Sequence, residues 1–325
     1  MVIIFHSVKK YILSLNNLIA FLIVVSILAC SNAGAQCLSS VNPVGGSNNL
    51  LVLEKKTLRL ITFYRYNYGN QYFEGDDHSD FGLIKNANYS YAGIIAGYGL
   101  WNKLTIEAEG GYYINKTQNY NLIPEYALKG YGFSSGIFSV RYSLLKNDTR
   151  RFYISSGIGA KVPFSTRPLS REGVELPIEM QPSTGAFGTV LQLFVVKEKP
   201  ITGIRYFLTG RMELNAENER EYRLGTSFFT SFFFSKHLMF PWLKGDWTTI
   251  LQIRNEIRRR DYTLNGWKES SGSTIFYFSP QLNYFIKGKW NLSLMVDLPV
   301  YQNFNGTQLA TKYGLSLNLA RDFKL

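Results

Sequence analysis

Hydrophobic and polar residues alternate along most of the chain beyond residue 56. The pattern is clearest in the last two segments, where every second position is apolar: Leu292, Leu294, Val296, Leu298 and Val300, then Tyr313, Leu315, Leu317 and Leu319. A period of two is typical of a β-strand with one apolar and one polar face. About twelve such segments follow one another, each roughly ten residues or longer, which is enough for a tilted strand to cross a bilayer.

The links between these segments alternate between short and long. The short links lie at residues 101–103, 146–150, 197–201 and 287–289, with a somewhat longer one at 239–246. The long links lie at 69–88, 115–129, 164–186, 263–272 and 301–312, with a shorter one at 215–221. Barrels of the bacterial outer membrane place short turns at the periplasmic rim and long loops outside. The sequence therefore predicts an all-β fold, a transmembrane antiparallel up-and-down β-barrel of about 12 strands, in the bacterial outer membrane.

An export signal precedes the strands. Lys9 and Lys10 are followed by an apolar run at residues 18–29, and Ala33-Gly34-Ala35 forms a small-x-small cleavage site. We predict a signal peptide at 1–35, a periplasmic N-terminal segment at 36–56 and the barrel at 57–325. A competing interpretation takes Ile27-Leu28-Ala29-Cys30 as a lipoprotein box, which makes Cys30 a lipid anchor.

The composition agrees with a barrel and limits the kinds of partner that we expect it to bind. Aromatic residues make up 15% of the chain and charged residues 18%, whereas an average soluble domain has about 25% charged residues. The net charge is +12, and loss of residues 1–35, with two lysines and no acids, leaves +10. An exported barrel meets no nucleic acid, so the expected partners are a small anionic or polar solute, membrane lipids and lipopolysaccharide. No cofactor is predicted.

Charged residues recur on the inward face of the second half of the chain. The predicted lumen and selectivity residues are Arg205, Arg211, Glu213, Arg223, Arg254, Glu256 and Arg258. Neighbouring strands lie ~4.8 Å apart, so we expect these side chains to form one patch. Opposed arginines and glutamates can form a constriction that favours anions. Alternatively, they pair with one another and fill a narrow lumen.

Other motifs give weaker signals. The acidic run from Asp76 to Asp80 lacks the spacing of a regular calcium loop. Gly132-Phe133-Ser134-Ser135-Gly136 matches G-x-S-x-G, but its flanks alternate like a continuous strand, whereas a nucleophile elbow joins a strand to a helix. Gly157 and Gly159 mark bulges or curvature, or leave room for the N-terminal segment or an inward-folded loop. We predict neither a metal site nor an enzyme.

Two hairpins carry a resemblance to a known family. The residues are Leu298-Pro299-Val300-Tyr301-Gln302-Asn303-Phe304-Asn305-Gly306-Thr307-Gln308-Leu309 with Tyr313-Gly314, and Gly97-Tyr98-Gly99-Leu100-Trp101-Asn102-Lys103-Leu104-Thr105. They resemble exported barrel proteins grouped with the meta-pathway of phenol degradation. The resemblance implies a porin-like or transporter-like barrel of the outer membrane, without catalytic residues to carry over. The inward arginines depart from what an aromatic cargo requires.

These observations predict a channel or porin-like transporter for small polar or anionic solutes. Two alternatives stay open. One is a non-conducting surface barrel, an adhesin or assembly component whose long loops bind partners. The other is an outer-membrane lipid hydrolase, which needs a serine and a histidine together on the barrel wall.

Overall fold

The computed structural model describes residues 52–238, 245–286 and 289–325. The predicted signal peptide at 1–35, the alternative lipid anchor at Cys30 and most of the predicted 36–56 segment lie outside these residues. Within them, no helix is long and apolar enough to cross a membrane.

Twelve long strands form one antiparallel sheet. They are β1 Thr57–Gly69, β2 Ile84–Trp101, β3 Leu104–Tyr120, β4 Gly136–Asn147, β5 Phe152–Val162, β6 Gly188–Lys199, β7 Ile204–Asn215, β8 Ser227–Leu238, β9 Asp246–Arg258, β10 Ser273–Ile286, β11 Trp290–Ala310 and β12 Tyr313–Lys324. Each strand pairs with its neighbour in the chain, and β1 also pairs with β12, which closes the sheet. The predicted twelve-stranded barrel is confirmed.

The two faces of the wall follow the alternation of the sequence. In β1, Ile61, Phe63 and Arg65 are buried, whereas Thr62 and Tyr64 are exposed. The exposed positions of the other strands carry large apolar side chains, among them Ile106, Val140, Ile158, Leu191, Leu193, Leu208, Phe232, Leu251, Ile253, Leu294, Leu315 and Leu317. An apolar outer face and a polar inner face are what a barrel in lipid requires.

The short turns and the chain ends share one rim. Thr57 at the start of β1 pairs with Lys324 at the end of β12, beside the turns at 102–103, 148–151 and 200–203. This rim is the periplasmic one by the usual arrangement of such barrels. At the opposite, outer rim, three predicted loops were wrong, because most of 69–88, 115–129 and 301–312 is strand. Two short strands, Gln71–Gly75 and Asp77–Ser79, precede β2, which begins at Ile84. At the other two loops, β3 runs to Tyr120 and β11 to Ala310.

The strand Tyr126–Phe133 pairs with the outer part of β3 and forms a hairpin that extends the wall beyond β4. A cap segment, residues 163–187 between β5 and β6, folds back against this outer hairpin. Gln181 organises the cap segment, because its side-chain amide donates to the Leu169 carbonyl at 2.9 Å and the Leu176 carbonyl at 2.8 Å.

The cap segment touches the inner side of the outer hairpin closely. Met180 is fully buried and packs against Leu128. A Cβ atom on Gly130 would stand 2.2 Å from the Met180 carbonyl oxygen, well inside contact distance. Glycine at position 130 therefore lets the cap segment approach the wall.

The N-terminal end of the described chain also enters the barrel, from the periplasmic rim. The Leu53 amide donates to the Thr105 hydroxyl at 2.8 Å, and Leu53 itself is buried. A Cβ on Gly99 would stand 1.9 Å from the Glu54 carbonyl oxygen. The glycine that makes room for the entering chain is thus on β2.

The prediction that Gly157 and Gly159 make room for the N-terminal segment or a loop was wrong. A Cβ on Gly157 would meet the Gln192 side chain at 3.0 Å, and one on Gly159 would meet Ser139 at 2.7 Å. Both neighbours belong to the adjoining strands β4 and β6. These glycines therefore relieve crowding within the wall itself.

Candidate functional site: the barrel lumen

The lumen holds buried ion pairs that join strands through the interior. The Arg254 cluster consists of Arg254 and Glu256 on β9 and Asp297 on β11. Arg254 Nε lies 2.8 Å from Glu256 Oε1, and Arg254 Nη1 lies 2.9 Å from Asp297 Oδ1. The guanidinium also stands 4.2 Å from the centre of the Tyr277 ring. Arg65 on β1 is within electrostatic reach of both carboxylates.

The Arg211 cluster spans the bore. It consists of Glu109 on β3, Lys161 on β5, and Arg211 and Glu213 on β7. Arg211 contacts Glu109 at 3.1 Å and Glu213 at 2.8 Å, and Lys161 Nζ lies 3.3 Å from Glu213 Oε2. Three strands separate β3 from β7 in the sheet. The Glu109–Arg211 pair therefore bridges the lumen instead of lying along the wall.

A further ion pair lies elsewhere on the inner wall. Arg141 Nη2 lies 2.8 Å from Glu107 Oε2, and the two side chains are 1% and 5% exposed. The Arg141 guanidinium also stands 3.9 Å from the centre of the Phe194 ring. Buried charges of this kind persist because each has an opposite charge beside it.

Four of the seven predicted lumen residues lie in these clusters: Arg211, Glu213, Arg254 and Glu256. Arg205 and Arg258 do not join them, so the prediction of one patch was wrong. Arg205 is near the periplasmic end of β7, with its side chain 59% exposed and 3.4 Å from Glu198. Arg205 lies six positions before Arg211 along β7, a distance of about 20 Å. Arg258 is at the outer end of β9, against Asp261.

Arg223 was predicted on a barrel strand and is not on one. It lies in the link 216–226, outside the barrel strands, where its backbone bridges to Tyr262. Its guanidinium stands 5.2 Å from the centre of the Tyr262 ring. The apolar spacing of Tyr222 and Leu224 resembled a strand, but it reflects packing between two outer links. Leu224 is buried there.

Sequence reasoning missed several lumen residues as site members, among them Glu107, Glu109, Asp297 and Lys116. Glu107, Glu109 and Asp297 follow the same inward parity as the predicted residues, so the alternation could have found them. Lys116 could not be found in this way. A bulge in β3 between Tyr113 and Lys116 shifts the parity of every later residue in that strand.

The weaker motifs are accounted for locally. Ser134 of the G-x-S-x-G match is buried, its hydroxyl within 2.8 Å of the Tyr91 hydroxyl and 3.1 Å of the Gly111 carbonyl. His78 lies in the small outer strand Asp77–Ser79, and His237 near the periplasmic end of β8. In the described part of the chain, no three His, Cys, Asp or Glu side chains are grouped to hold a metal ion.

Three cavities open from the lumen. One at the periplasmic end measures about 620 Å³ and is lined by Arg151, Lys199 and Arg205 with Glu198 and Asp246. A second, of about 590 Å³, has Lys55, Lys146 and Lys324 with Glu54 and Asp148. The third, of about 50 Å³, lies under the cap segment and has Lys116, Lys161 and Arg211 with Glu109 and Glu213. In each, three cationic side chains face two carboxylates.

Asp261 ties the outer links 216–226 and 259–272 together. Its carboxylate accepts from the Gly225 amide at 2.8 Å and from the Tyr222 hydroxyl, and it pairs with Arg258. Burial opposes the charged form, but Arg258, the Tyr222 hydroxyl and the Gly225 amide outweigh burial and lower the pKa of the Asp261 carboxyl. The charged form therefore stabilises this rim.

We expect Asp261→Asn to raise hydrogen exchange in the link 216–226 by about tenfold at pH 7, because one strong acceptor becomes a weak one. A lowered folded-state pKa means that the stabilisation is present above the ordinary value of 3.8 and is lost as the pH falls through the folded-state value. Below that pH, the wild type and Asp261→Asn should exchange hydrogen at the same rate in this link. Mass spectrometry measures the exchange. The exposed Asp76→Asn change is the control. Unchanged exchange in Asp261→Asn at pH 7 would show that the carboxylate does not hold the rim.

No known family model matches the chain, and no curated protein matches it in sequence. Among solved structures, an outer membrane channel from Pseudomonas putida F1 superimposes with a TM-score of 0.66 over 87% of this chain and 100% of that one, at 11% identity. The chain folds as a bacterial outer-membrane β-barrel. The β domain of a Bordetella autotransporter covers 83% of the chain (100% of its own; TM-score 0.47, 8% identity). The NanC porin aligns with 82% of this chain and 100% of its own chain, with a TM-score of 0.42 and 13% identity.

Proposed function

We propose that this outer-membrane barrel is a channel for small polar solutes that prefers anions. The observation that carries the proposal is the charge of the lumen cavities. Each of the three has one more lysine or arginine than it has carboxylates. A cavity with an excess of one sign of charge, walled by protein of low dielectric constant, concentrates ions of the opposite sign.

The two buried clusters supply the narrowest part of the proposed path. Arg211 reaches from β7 to Glu109 on β3, and Arg254 reaches from β9 to Asp297 on β11. Their charges are paired, so they narrow the bore more than they set its sign. The exposed cations of the periplasmic cavities, Arg151 and Arg205, would then set the preference among ions. We further propose that the apolar outer wall contacts membrane lipids and lipopolysaccharide.

Planar-bilayer recording tests this proposal. Between unequal KCl concentrations, the reversal potential of the wild-type protein should favour chloride. Replacing Arg151 and Arg205 together with glutamine should lower the ratio of chloride to potassium permeability by about twofold or more, because two cations leave one cavity. Both side chains are exposed, so folding should be unaffected.

Lys85→Gln is the matched control for this pair. Lys85 is an exposed cation near the outer end of β2 and lines none of the three cavities. Its loss should leave the permeability ratio unchanged. Equal chloride and potassium permeability in the wild type would refute the anion preference, and a protein that inserts but never conducts would refute the channel.

A second candidate function is a surface barrel that binds partners without conducting. The outer links carry strongly exposed apolar residues, which supports this candidate: Ile123 is 103% exposed, Leu264 71%, Val174 71% and Trp267 61%. Exposed apolar side chains on loops are a common feature of binding surfaces. Two results together would favour a partner-binding barrel. The protein would insert into planar bilayers without conducting, and its binding to a surface partner would be lost in Ile123→Ser and Trp267→Ser.

A further inference from the structure

A small chamber lies between the Arg211 cluster and the cap segment. Its volume is about 50 Å³, and the wall strands and the cap segment both line it. A water molecule occupies at least about 10–15 Å³ on this measure, so the chamber holds roughly three to five water-sized groups. That is the size of a small polyatomic ion.

Lys116 gives the chamber its chemistry. The side chain is 1% exposed, and Nζ donates to the Gln181 carbonyl at 2.7 Å. It also stands 4.7 Å from the centre of the Tyr113 ring. In the described part of the chain, no carboxylate lies within ion-pair distance of Lys116, unlike the buried cations of the Arg211 cluster. A buried ammonium without a counter-charge costs several kcal/mol, so this site favours an added anion.

A second polar group points to the same occupant. Thr184, in the cap segment, lines the chamber and is 8% exposed. Its hydroxyl has no hydrogen-bond partner among the described residues, although buried hydroxyls are nearly always bonded. Lys116, Lys161 and Arg211 line the chamber against Glu109 and Glu213, so it has one more basic side chain than it has carboxylates. A small anion with oxygen acceptors would satisfy both groups.

We infer that the chamber beneath the cap segment is a binding site for a small oxyanion of carboxylate or phosphate type. Lys116 and the Thr184 hydroxyl are its principal ligands. The inference rests on the proposed function and deepens it: solute is held at a defined, capped site in the lumen on its way through the barrel. The site needs oxygen acceptors as well as charge, so chloride binds it less well than an oxyanion.

Calorimetry on the full-length protein in detergent tests the site. Inorganic phosphate and sodium acetate are titrated separately, which distinguishes the two oxyanion types, and sodium chloride is titrated for comparison. Lys116→Met should weaken binding of the preferred oxyanion by about tenfold or more, because a charge-assisted hydrogen bond is lost. Lys129→Met is the control, since Lys129 is exposed on the strand opposite Lys116.

Thr184→Val is a second variant, which keeps the side-chain shape and should weaken binding severalfold if Lys116→Met fails to fold. Equal affinity in wild type and Lys116→Met, or in wild type and Thr184→Val, would overturn the site, as would no binding of either oxyanion. A barrel that conducts without this binding would leave the channel proposal standing. A barrel that binds but never conducts would leave the site standing and remove the channel.

Discussion

Replacing Arg254 with methionine is expected to lower the free energy of unfolding by about 3–5 kcal/mol. The arginine side chain is 3% exposed and contacts Glu256 and Asp297, whose side chains are 14% and 10% exposed. Methionine fills a similar volume but removes the cation that contacts both buried carboxylates. Urea unfolding from lipid vesicles, followed by tryptophan fluorescence, measures the change.

Arg205→Met is the matched control, because it removes the same kind of side chain from a site that is 59% exposed. An exposed ion pair contributes roughly 0–1 kcal/mol, so this variant should unfold almost as the wild type does. If Arg254→Met costs no more than Arg205→Met, the Arg254 cluster does not hold the lumen together. The comparison thus separates the buried members of the predicted lumen set from the exposed ones.

The strands of this barrel could be predicted because lipid imposes a strict rule on the wall. Most outward residues are apolar, so Leu292, Leu294 and Val296 recur at every second position. Outside the membrane the rule is absent, since water contacts both faces of a strand. The outer parts of β3 and β11 therefore have no alternation, and they were predicted as loops.

Whether a side chain points inward could also be predicted, but its ion-pair partner could not. Arg211 and Glu109 are 102 residues apart in the chain and meet through the lumen. The period of two indicates that both side chains point inward. Their positions along the barrel axis, however, depend on strand tilt and register, which no local sequence pattern contains. This is why Arg205 was predicted beside Arg211 although it lies near the periplasmic rim.

The cap segment gave no usable signal in the sequence. Its contacts use the Met180 and Gln181 backbone carbonyls and a close approach at Gly130, none of which depends on a recognisable motif. The chamber under the cap segment, and the role of Lys116 in it, could therefore be recognised only from the three-dimensional structure.

The cap segment lies against the inner side of the outer hairpin, so in the proposed channel passage through the outer end should depend on where the cap segment sits. Gly130→Ala is expected to displace it, because the new Cβ would stand 2.2 Å from the Met180 carbonyl oxygen. The outer hairpin is held by a ladder of backbone hydrogen bonds to β3, so the cap segment should give way. Conductance in planar bilayers should rise by about threefold or more.

Gly210→Ala makes the same chemical change where there is space. The nearest atom to a Cβ on Gly210 is the Leu193 Cβ, at 4.0 Å, so this variant should conduct as the wild type does. Trypsin gives an independent measurement: cleavage after Arg171 should be faster in Gly130→Ala alone, because a displaced segment exposes more backbone. Faster cleavage without higher conductance would mean that the cap segment covers the bore but does not limit flow. If neither the conductance nor the cleavage rate changes, then the wall, and not the cap segment, accommodates the added methyl group.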